Sequence, residues 1–145
     1  MTIEKRILIV DDDDPIRVLL LTVLRKRGFR VDSARNGEEA LEKSRQCRYS
    51  IVLLDLMMPL MSGYEFLERV EQWPDDQRPL VIVLTAGTEP RDLNPKIVAG
   101  TIRKPFDIEL LIDTIEACSR LLDEFAQREN CPPSEGELDQ FGKPN

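Results

Sequence analysis

Continuous apolar runs alternate along the chain with segments in which apolar residues recur at helical spacing. Residues 7–10, 51–54 and 80–84 are unbroken apolar runs, which is typical of strands buried on both faces. A short alternating segment at residues 29–33 and an apolar segment at residues 97–102 predict two more strands. Five strands alternating with helices predict an α/β fold, with a parallel sheet covered by helices on both faces.

Capping residues predict where the first two helices begin and end. Asp14 is predicted to cap the first helix, with Pro15 at its first helical position and Gly28 at its C-terminal stop. Asn36 is predicted to cap the second helix, which runs to about residue 48. Each of these helices follows a predicted strand along the chain, the first after residues 7–10 and the second after residues 29–33.

The later helices are predicted in the same way, with one irregular segment between them. Ser62 and Glu65 have the spacing of a capping box, and the third helix ends at Trp73-Pro74, where the indole is expected to pack. Residues 86–96 contain Gly87, Pro90 and Pro95, so that the fourth helix is expected to be short or irregular. Asp107 is predicted to cap the last helix.

Chain length and local composition predict one folded domain with a tail. The 145 residues suffice for a single domain, which we assign to residues 1–125. The remainder, residues 126–145, is polar and rich in Pro and Gly, and it is predicted to be a disordered tail or a linker. No signal peptide or membrane-spanning run is present, so we expect a soluble cytoplasmic protein.

Composition excludes several classes of function. With 27 acidic and 20 basic residues the net charge is −7, which argues against nucleic acid as a direct partner. The absence of histidine excludes Ser-His-Asp and Cys-His catalysis as well as histidine metal sites. Three widely separated cysteines fit neither a zinc site nor a disulfide framework.

Polar side chains stand at the carboxyl ends of four predicted strands. Asp11 and Asp12 follow the first strand, Asp55 ends the third, Thr85 ends the fourth and Lys104 follows the fifth. Because ligands bind at this edge of a parallel sheet, we expect these five side chains to form one site. Three close carboxylates need a cation, and their hard oxygen ligands favour Mg²⁺ or Mn²⁺. A carboxylate beside such an ion can attack phosphorus to give an aspartyl phosphate, with Asp55 as the candidate nucleophile.

Four motifs in order resemble the receiver domain of two-component response regulators over residues 5–125. The motifs are Ile7-Leu8-Ile9-Val10-Asp11-Asp12, Asp55-Leu56-Met57-Met58-Pro59 with Met61 and Gly63, Val83-Leu84-Thr85-Ala86, and Lys104-Pro105-Phe106. The resemblance implies a flavodoxin-like, doubly wound sheet in the strand order 2-1-3-4-5.

The same resemblance implies a role for each site residue. Asp55 would be the phosphoacceptor, and Asp12, Asp55 and the backbone carbonyl of Met57 would be Mg²⁺ ligands, with Asp11 acting through water. Thr85 and Lys104 would form the switch pair that contacts the phosphoryl group. The peptide bond after Lys104 is often cis in this family.

The resemblance also implies partners. The phosphoryl donor would be a phosphohistidine on a sensor histidine kinase or on a histidine phosphotransfer protein of a phosphorelay. The chain would act as a signalling phosphoacceptor that controls an unknown downstream protein, not as an enzyme in its own right. Without a recognisable output domain, it would be either a stand-alone receiver or a fragment of a longer regulator or hybrid kinase.

The sequence departs from the family pattern near the switch pair. Thr85 and Lys104 are 19 positions apart, about one helical turn less than the family spacing. Thr101 occupies the position of the family's switch aromatic, so we expect signalling to remodel residues 85–95 instead. Neither Met57 nor Gly87, which stand where the family tunes access of water to the phosphate, can polarise water, which predicts a long-lived phosphoaspartate.

Two other functions remain to be weighed. Asp11 and Asp13 have the spacing of the nucleophile and acid of haloacid-dehalogenase-like phosphatases, for which the chain is short. A flavodoxin-like cofactor binder is disfavoured because the first loop presents acids, not hydroxyls and amides, to a phosphate.

Overall fold

The chain forms one parallel five-stranded sheet in the order β2-β1-β3-β4-β5. A computed structural model describes residues 5–58, 60–86 and 93–130. The strands are β1 (Arg6–Val10), β2 (Arg30–Ala34), β3 (Ile51–Asp55), β4 (Leu80–Thr85) and β5 (Val98–Arg103). The helices are α1 (Asp14–Lys26), α2 (Gly37–Gln46), α3 (Gly63–Glu71) and α4 (Ile108–Asn130), with a short 3-10 helix at Asp75–Gln77. The predicted fold class and strand order are therefore confirmed.

Two hydrophobic cores cover the two faces of the sheet, because successive strand residues point to opposite faces. Leu8 and Val10 pack with the buried residues of α2 and α3, of which Phe66 is among the largest fully buried side chains. Ile7 and Ile9 pack with α1 and α4. All four residues have no exposed surface, which explains why their strand reads as an unbroken apolar run.

The strand register brings the polar strand ends to one edge of the sheet. Val10 pairs with Leu54 and Asp55 pairs with Leu84, so that β1, β3 and β4 end at nearly the same height. Asp11 therefore lies beside the end of β3. Thr85 follows Leu84, the residue of β4 that pairs with Asp55. This is the edge at which the sequence predicts the site.

The first helix begins one residue earlier than predicted. Asp13, and not Asp14, is the N-cap: its backbone is extended and its side chain accepts a hydrogen bond from the Ile16 amide at 3.2 Å. Asp14 is therefore the first helical residue, with Pro15 beside it. The other predicted caps are confirmed, namely Asn36, the Ser62–Glu65 capping box and Asp107, whose side chain accepts from the Glu109 amide at 2.8 Å.

Other boundaries differ by one to a few residues. The second helix ends at Gln46, before residue 48, because Cys47 has an extended backbone. Strands β2 and β5 each begin one residue later than predicted, and Ile97 lies in a turn closed by a hydrogen bond from its amide to the Asn94 carbonyl at 3.0 Å. The last helix continues to Asn130, past the domain boundary expected at residue 125.

Two predicted features fall on residues that are not described. Residues 87–92 and 131–145 lie outside the described ranges, so that the expected short fourth helix and most of the predicted tail are untested. Between β4 and β5, the described residues 93–97 form a turn without a helix. Within the described ranges, no helix combines the length and apolar character needed to span a membrane.

Gly63 allows α3 to begin against the end of β3. Its amide donates to the Leu56 carbonyl at 3.0 Å, and a Cβ at this position would lie 2.5 Å from the Asp55 carbonyl oxygen and 2.6 Å from the Leu56 Cα. These neighbours are backbone atoms, which cannot rotate away. The loop after Asp55 is therefore fixed by a close approach that only glycine permits.

We expect Gly63→Ala to lower the free energy of unfolding by about 1–3 kcal/mol, because the added methyl group forces backbone atoms apart. Gly100→Ala is the matched control, since no atom lies within 4 Å of a Cβ there, and it should change stability by less than about 0.5 kcal/mol. Urea unfolding of both variants measures the difference. Equal stabilities would show that the loop relaxes without cost.

Candidate functional site

Three carboxylates meet at the carboxyl ends of β1 and β3. One carboxylate oxygen from each of Asp11, Asp12 and Asp55 lies within 4.8 Å of the others. Asp11 and Asp55 are buried, whereas Asp12 is exposed and forms the solvent side of the cluster. Oxygen ligands at this separation suit a hard divalent cation such as Mg²⁺. The three acids predicted to form a metal site are therefore brought together.

Lys104 is the cation that the chain itself places in this cluster. Its Nζ donates to Asp11 Oδ2 at 2.8 Å and lies 3.5 Å from Asp55 Oδ2. Its amide donates to the Thr85 carbonyl at 2.7 Å, which holds the start of the β5–α4 loop against the end of β4. The Lys104–Pro105 peptide bond is cis, as the family resemblance implies.

The environment of Asp55 disfavours its charged form. Burial raises the pKa of Asp55 to about 6, and the charge of Asp11 and a hydrogen bond with Asp12 act in the same direction. The Met57 amide, which donates to Asp55 Oδ1 at 3.1 Å, and the charge of Lys104 lower this pKa and offset only part of the shift. Among the described residues, the Met57 amide and Lys104 therefore do not stabilise the negative charge of Asp55 enough to offset its burial and its acidic neighbours.

Lys104 keeps its positive charge in the same site. Burial disfavours its charged form, but the hydrogen bond and charge of Asp11, together with those of Asp55, outweigh this and raise the pKa of Lys104. The ammonium group is therefore fully charged at neutral pH and available for an anion that enters beside it.

Thr85 lies at the end of β4 with 5% of its surface exposed. Its carbonyl accepts the bond from Lys104, while no residue of the described ranges donates to or accepts from its hydroxyl. Burial of a hydroxyl group that makes no hydrogen bond costs free energy, unless a ligand provides the missing bond. Thr85 therefore lies at the sheet edge where the sequence places it, beside the end of β3.

Sequence reasoning missed Arg17, which supports the cluster from α1. Its Nη1 donates to the Asp11 carbonyl at 2.8 Å, and its Nη2 contacts Asp14 Oδ1. The Asp11 side chain is fixed in turn, because its Oδ1 accepts from the Asp13 amide at 2.9 Å. The spacing of three between Asp14 and Arg17 was the available signal, since it places both side chains on one side of the first turn.

Comparison with known proteins places the chain in a family. Residues 7–116, well over half of the chain, match the response regulator receiver domain. This chain belongs to the response regulator receiver domain family. The family gives it a phosphoacceptor role in two-component signalling. The resemblance first carried by four short motifs is thereby confirmed.

Curated relatives and solved structures agree with this membership. YkoG, a transcriptional regulatory protein of Bacillus subtilis described as uncharacterized, is 40% identical over 79% of this chain and 50% of its own length. Sporulation initiation phosphotransferase F of the same organism is 36% identical over 77% of this chain and 91% of its own length. The chain thus spans about half the length of several relatives and nearly all of another.

The solved structures include a Thermotoga maritima response regulator in two states. TrrA in complex with Mg²⁺-BeF is 36% identical, with a TM-score of 0.70 over 79% of this chain and 98% of TrrA. TrrA in complex with the histidine kinase ThkA matches with a TM-score of 0.68 at 36% identity, over 79% of this chain and 97% of that one.

Asp55→Asn is expected to stabilise the metal-free protein above pH 6 and to leave it unchanged near pH 3. Folding raises the pKa of Asp55 from 3.8 to about 6, so the folded state binds a proton between these values, and its stability falls as the pH rises through them. Above pH 6, the charged Asp55 side chain therefore lowers the free energy of unfolding by about 3 kcal/mol, at about 1.4 kcal/mol per pKa unit.

Thermal unfolding in chelator at several pH values measures this effect. Asp113→Asn removes an exposed carboxylate of α4 and serves as the control, with no pH-dependent gain expected. A gain for Asp55→Asn that is the same at pH 3 and pH 8 would contradict the argument.

Proposed function

We propose that Asp55 is the residue that accepts the phosphoryl group and that the cluster around it supports the transfer. The bond from an Asp55 carboxylate oxygen to phosphorus forms as the bond from phosphorus to the donor nitrogen breaks, and the nitrogen keeps the bonding pair. The product is an aspartyl phosphate. The observation that carries the proposal is the difference between the two buried carboxylates.

Lys104 holds Asp55 less closely than it holds Asp11. Asp11 Oδ1 accepts from the Asp13 amide and its Oδ2 from Lys104, at 2.9 and 2.8 Å, with no surface exposed. Asp55 Oδ1 accepts from the Met57 amide at 3.1 Å, but its Oδ2 lies 3.5 Å from Lys104 Nζ, a longer and weaker contact than the one Asp11 makes. This contrast supports Asp55 as the nucleophile and disfavours Asp11, on which the haloacid-dehalogenase-like alternative depends.

The donor set fits a hard divalent cation. Asp12, Asp55 and the backbone carbonyl of Met57 would hold Mg²⁺ or Mn²⁺ directly, with Asp11 acting through water. A buried Asp55 with a raised pKa beside two more carboxylates supports this assignment, since Lys104 alone leaves the cluster undercompensated. Bound Mg²⁺ supplies charge neutralisation for the carboxylates and the entering phosphoryl oxygens.

Lys104 and Thr85 bind the phosphoryl group in this proposal. Lys104 donates to a phosphoryl oxygen when the Asp55 oxygen nearest to it is esterified, and Thr85 offers its hydroxyl to another. Because the Lys104 amide is bonded to the Thr85 carbonyl, a shift of either residue moves the other. We propose that the resulting change is read out in residues 85–95, since the exposed Thr101 replaces the family's switch aromatic.

The donor we propose is a phosphohistidine on a sensor histidine kinase or histidine phosphotransfer protein. The complex of TrrA with a histidine kinase supports such a donor for this chain as well. The chain acts as a phosphoacceptor and not as an independent enzyme, and we expect a cytoplasmic location. Residues 1–125 are the receiver, and the rest is a tail or linker whose helical start reaches Asn130.

Acetyl phosphate tests the assignment of Asp55. Incubation with Mg²⁺ should add one phosphoryl group, detected by intact mass, to the wild type and to Asp11→Asn at reduced yield, but not to Asp55→Asn. Addition of a chelator should abolish the adduct. An adduct that persists in Asp55→Asn would overturn the assignment.

Met57→Asn is expected to shorten the lifetime of the phosphoaspartate severalfold, because an amide in place of a thioether can polarise the attacking water. Met57 is 70% exposed, so the substitution should leave the fold unchanged. Loss of the adduct with time after removal of acetyl phosphate measures the lifetime. Leu60→Asn, at a residue 77% exposed in the same loop, is the control, and an unchanged lifetime in Met57→Asn would contradict the argument.

A further inference from the structure

A basic cleft lies where the strands begin, at the end of the sheet opposite to Asp55. It has a volume of about 660 Å³ and lies between the C-terminal ends of α2 and α3, beside the starts of β3 and β4. Arg45, Arg48 and Arg69 line it together with the half-buried Trp73, and none of the lining residues in the described part of the chain is a carboxylate. In a chain of net charge −7, this is a local concentration of positive charge.

Two of these arginines have no partner among the described residues. Arg45 Nη1 contacts Glu42 at 2.8 Å, whereas Arg48 and Arg69 have no side-chain hydrogen bond or ion pair to any residue of the described ranges. Arginines at a helix end commonly offset the charge of its last carbonyls. For α3, however, Arg78 already does so, because its Nε and Nη2 donate to the Trp73 and Glu71 carbonyls at 2.9 and 3.0 Å.

The end of α4 lies at the same edge of the sheet. Lys5, which precedes β1, contacts Ser119 at 2.9 Å and Asp123 at 2.6 Å, so α4 has reached the amino ends of the strands by residue 123. The seven further residues to Asn130 extend it by about 10 Å. Along this edge, the Arg6 carbonyl accepts a bond from the Ser50 amide at 2.9 Å, next to the lining residues of the cleft.

The sequence after α4 carries charge complementary to the cleft. Glu135, Glu137 and Asp139 are two positions apart, which places their carboxylates on one side of an extended segment. At about 3.3–3.6 Å per residue, Glu135 can lie up to about 17 Å from Asn130, and Asp139 up to about 30 Å. The cleft and α4 lie on opposite faces of the sheet, so the segment must cross about two layer spacings of about 10 Å each, which the reach of Asp139 exceeds.

We propose that the acidic segment 135–139 docks in cis in this cleft, with its carboxylates on Arg48 and Arg69 and its chain passing Trp73. Opposite charge, two guanidinium groups without a partner in the described ranges and the position of the α4 end favour this occupant over an external one. The contact is electrostatic and solvent-facing, so it should weaken with salt. Because the cleft lies at the opposite edge from Asp55, docking leaves phosphorylation of Asp55 unaffected.

The 145-residue chain contains a built-in reporter, because Trp73 is its only tryptophan. We would compare the indole N–H resonance of the wild type with that of a tail variant carrying Glu135→Gln, Glu137→Gln and Asp139→Asn. The tail substitutions should shift this resonance at about 0.01 M salt, and the shift should vanish near 1 M, where the screening length falls to about 3 Å. They should cause no shift in an Arg48→Gln, Arg69→Gln background.

Matched variants separate docking from a general effect of charge. Lys26→Gln with Arg120→Gln removes two exposed cations elsewhere, and the tail-dependent shift should persist in it. Removal of the exposed acids Asp76, Asp113 and Glu124 as amides should not mimic the tail variant. A tail-dependent shift that survives without Arg48 and Arg69, or no shift at low salt, would overturn the proposal.

Added tripolyphosphate distinguishes a free anion from the tail as occupant. If the tail docks, tripolyphosphate must displace it, and so binds the wild type more weakly than the tail variant. Equal affinity for both proteins would mean that the cleft takes free anions and not the tail. Acetyl phosphate labelling of Asp55 provides an independent readout, and it should proceed equally in the wild type, the tail variant and the Arg48→Gln, Arg69→Gln variant.

Discussion

Desolvated negative charge at the ends of β1 and β3 is the constraint on which the site depends. Asp11 and Asp55 are buried within 4.8 Å of each other and of Asp12, and one ammonium group, that of Lys104, lies between the buried pair. The pKa of Asp55 stays raised at about 6 despite that lysine. The arrangement costs stability in the metal-free chain, and a cation bound beside these carboxylates would relieve that cost.

The sheet turns this constraint into a defined geometry. Parallel register sets the heights of Asp11, Asp55 and Thr85, while the Lys104 amide is tied to the Thr85 carbonyl at 2.7 Å. Gly63 then lets α3 approach the backbone of Asp55, and Arg17 holds the carbonyl of Asp11. The side chains of the candidate site are thus positioned by ordered backbone, and Lys104 connects Asp55 to the end of β4.

Sequence alone predicted the fold and the membership of the site because both follow from short-range patterns. Unbroken apolar runs identify buried strands, and polar residues at their ends must meet at one edge. What could not be predicted depends on side-chain geometry: that Asp13 caps α1, that Arg17 reaches the Asp11 carbonyl, and that Lys104 binds Asp11 more closely than Asp55. The cleft near Trp73 also escaped prediction, since its arginines come from separate elements.

Mapping the phosphoryl group to one residue tests the central claim most directly. Reduction of the freshly phosphorylated full-length chain with borohydride converts an aspartyl phosphate to homoserine, which peptide mass spectrometry then locates. The account predicts homoserine at position 55 alone, with positions 11 and 12 unchanged. Homoserine at position 11, or at position 12, would contradict the proposal that Asp55 is the phosphoacceptor.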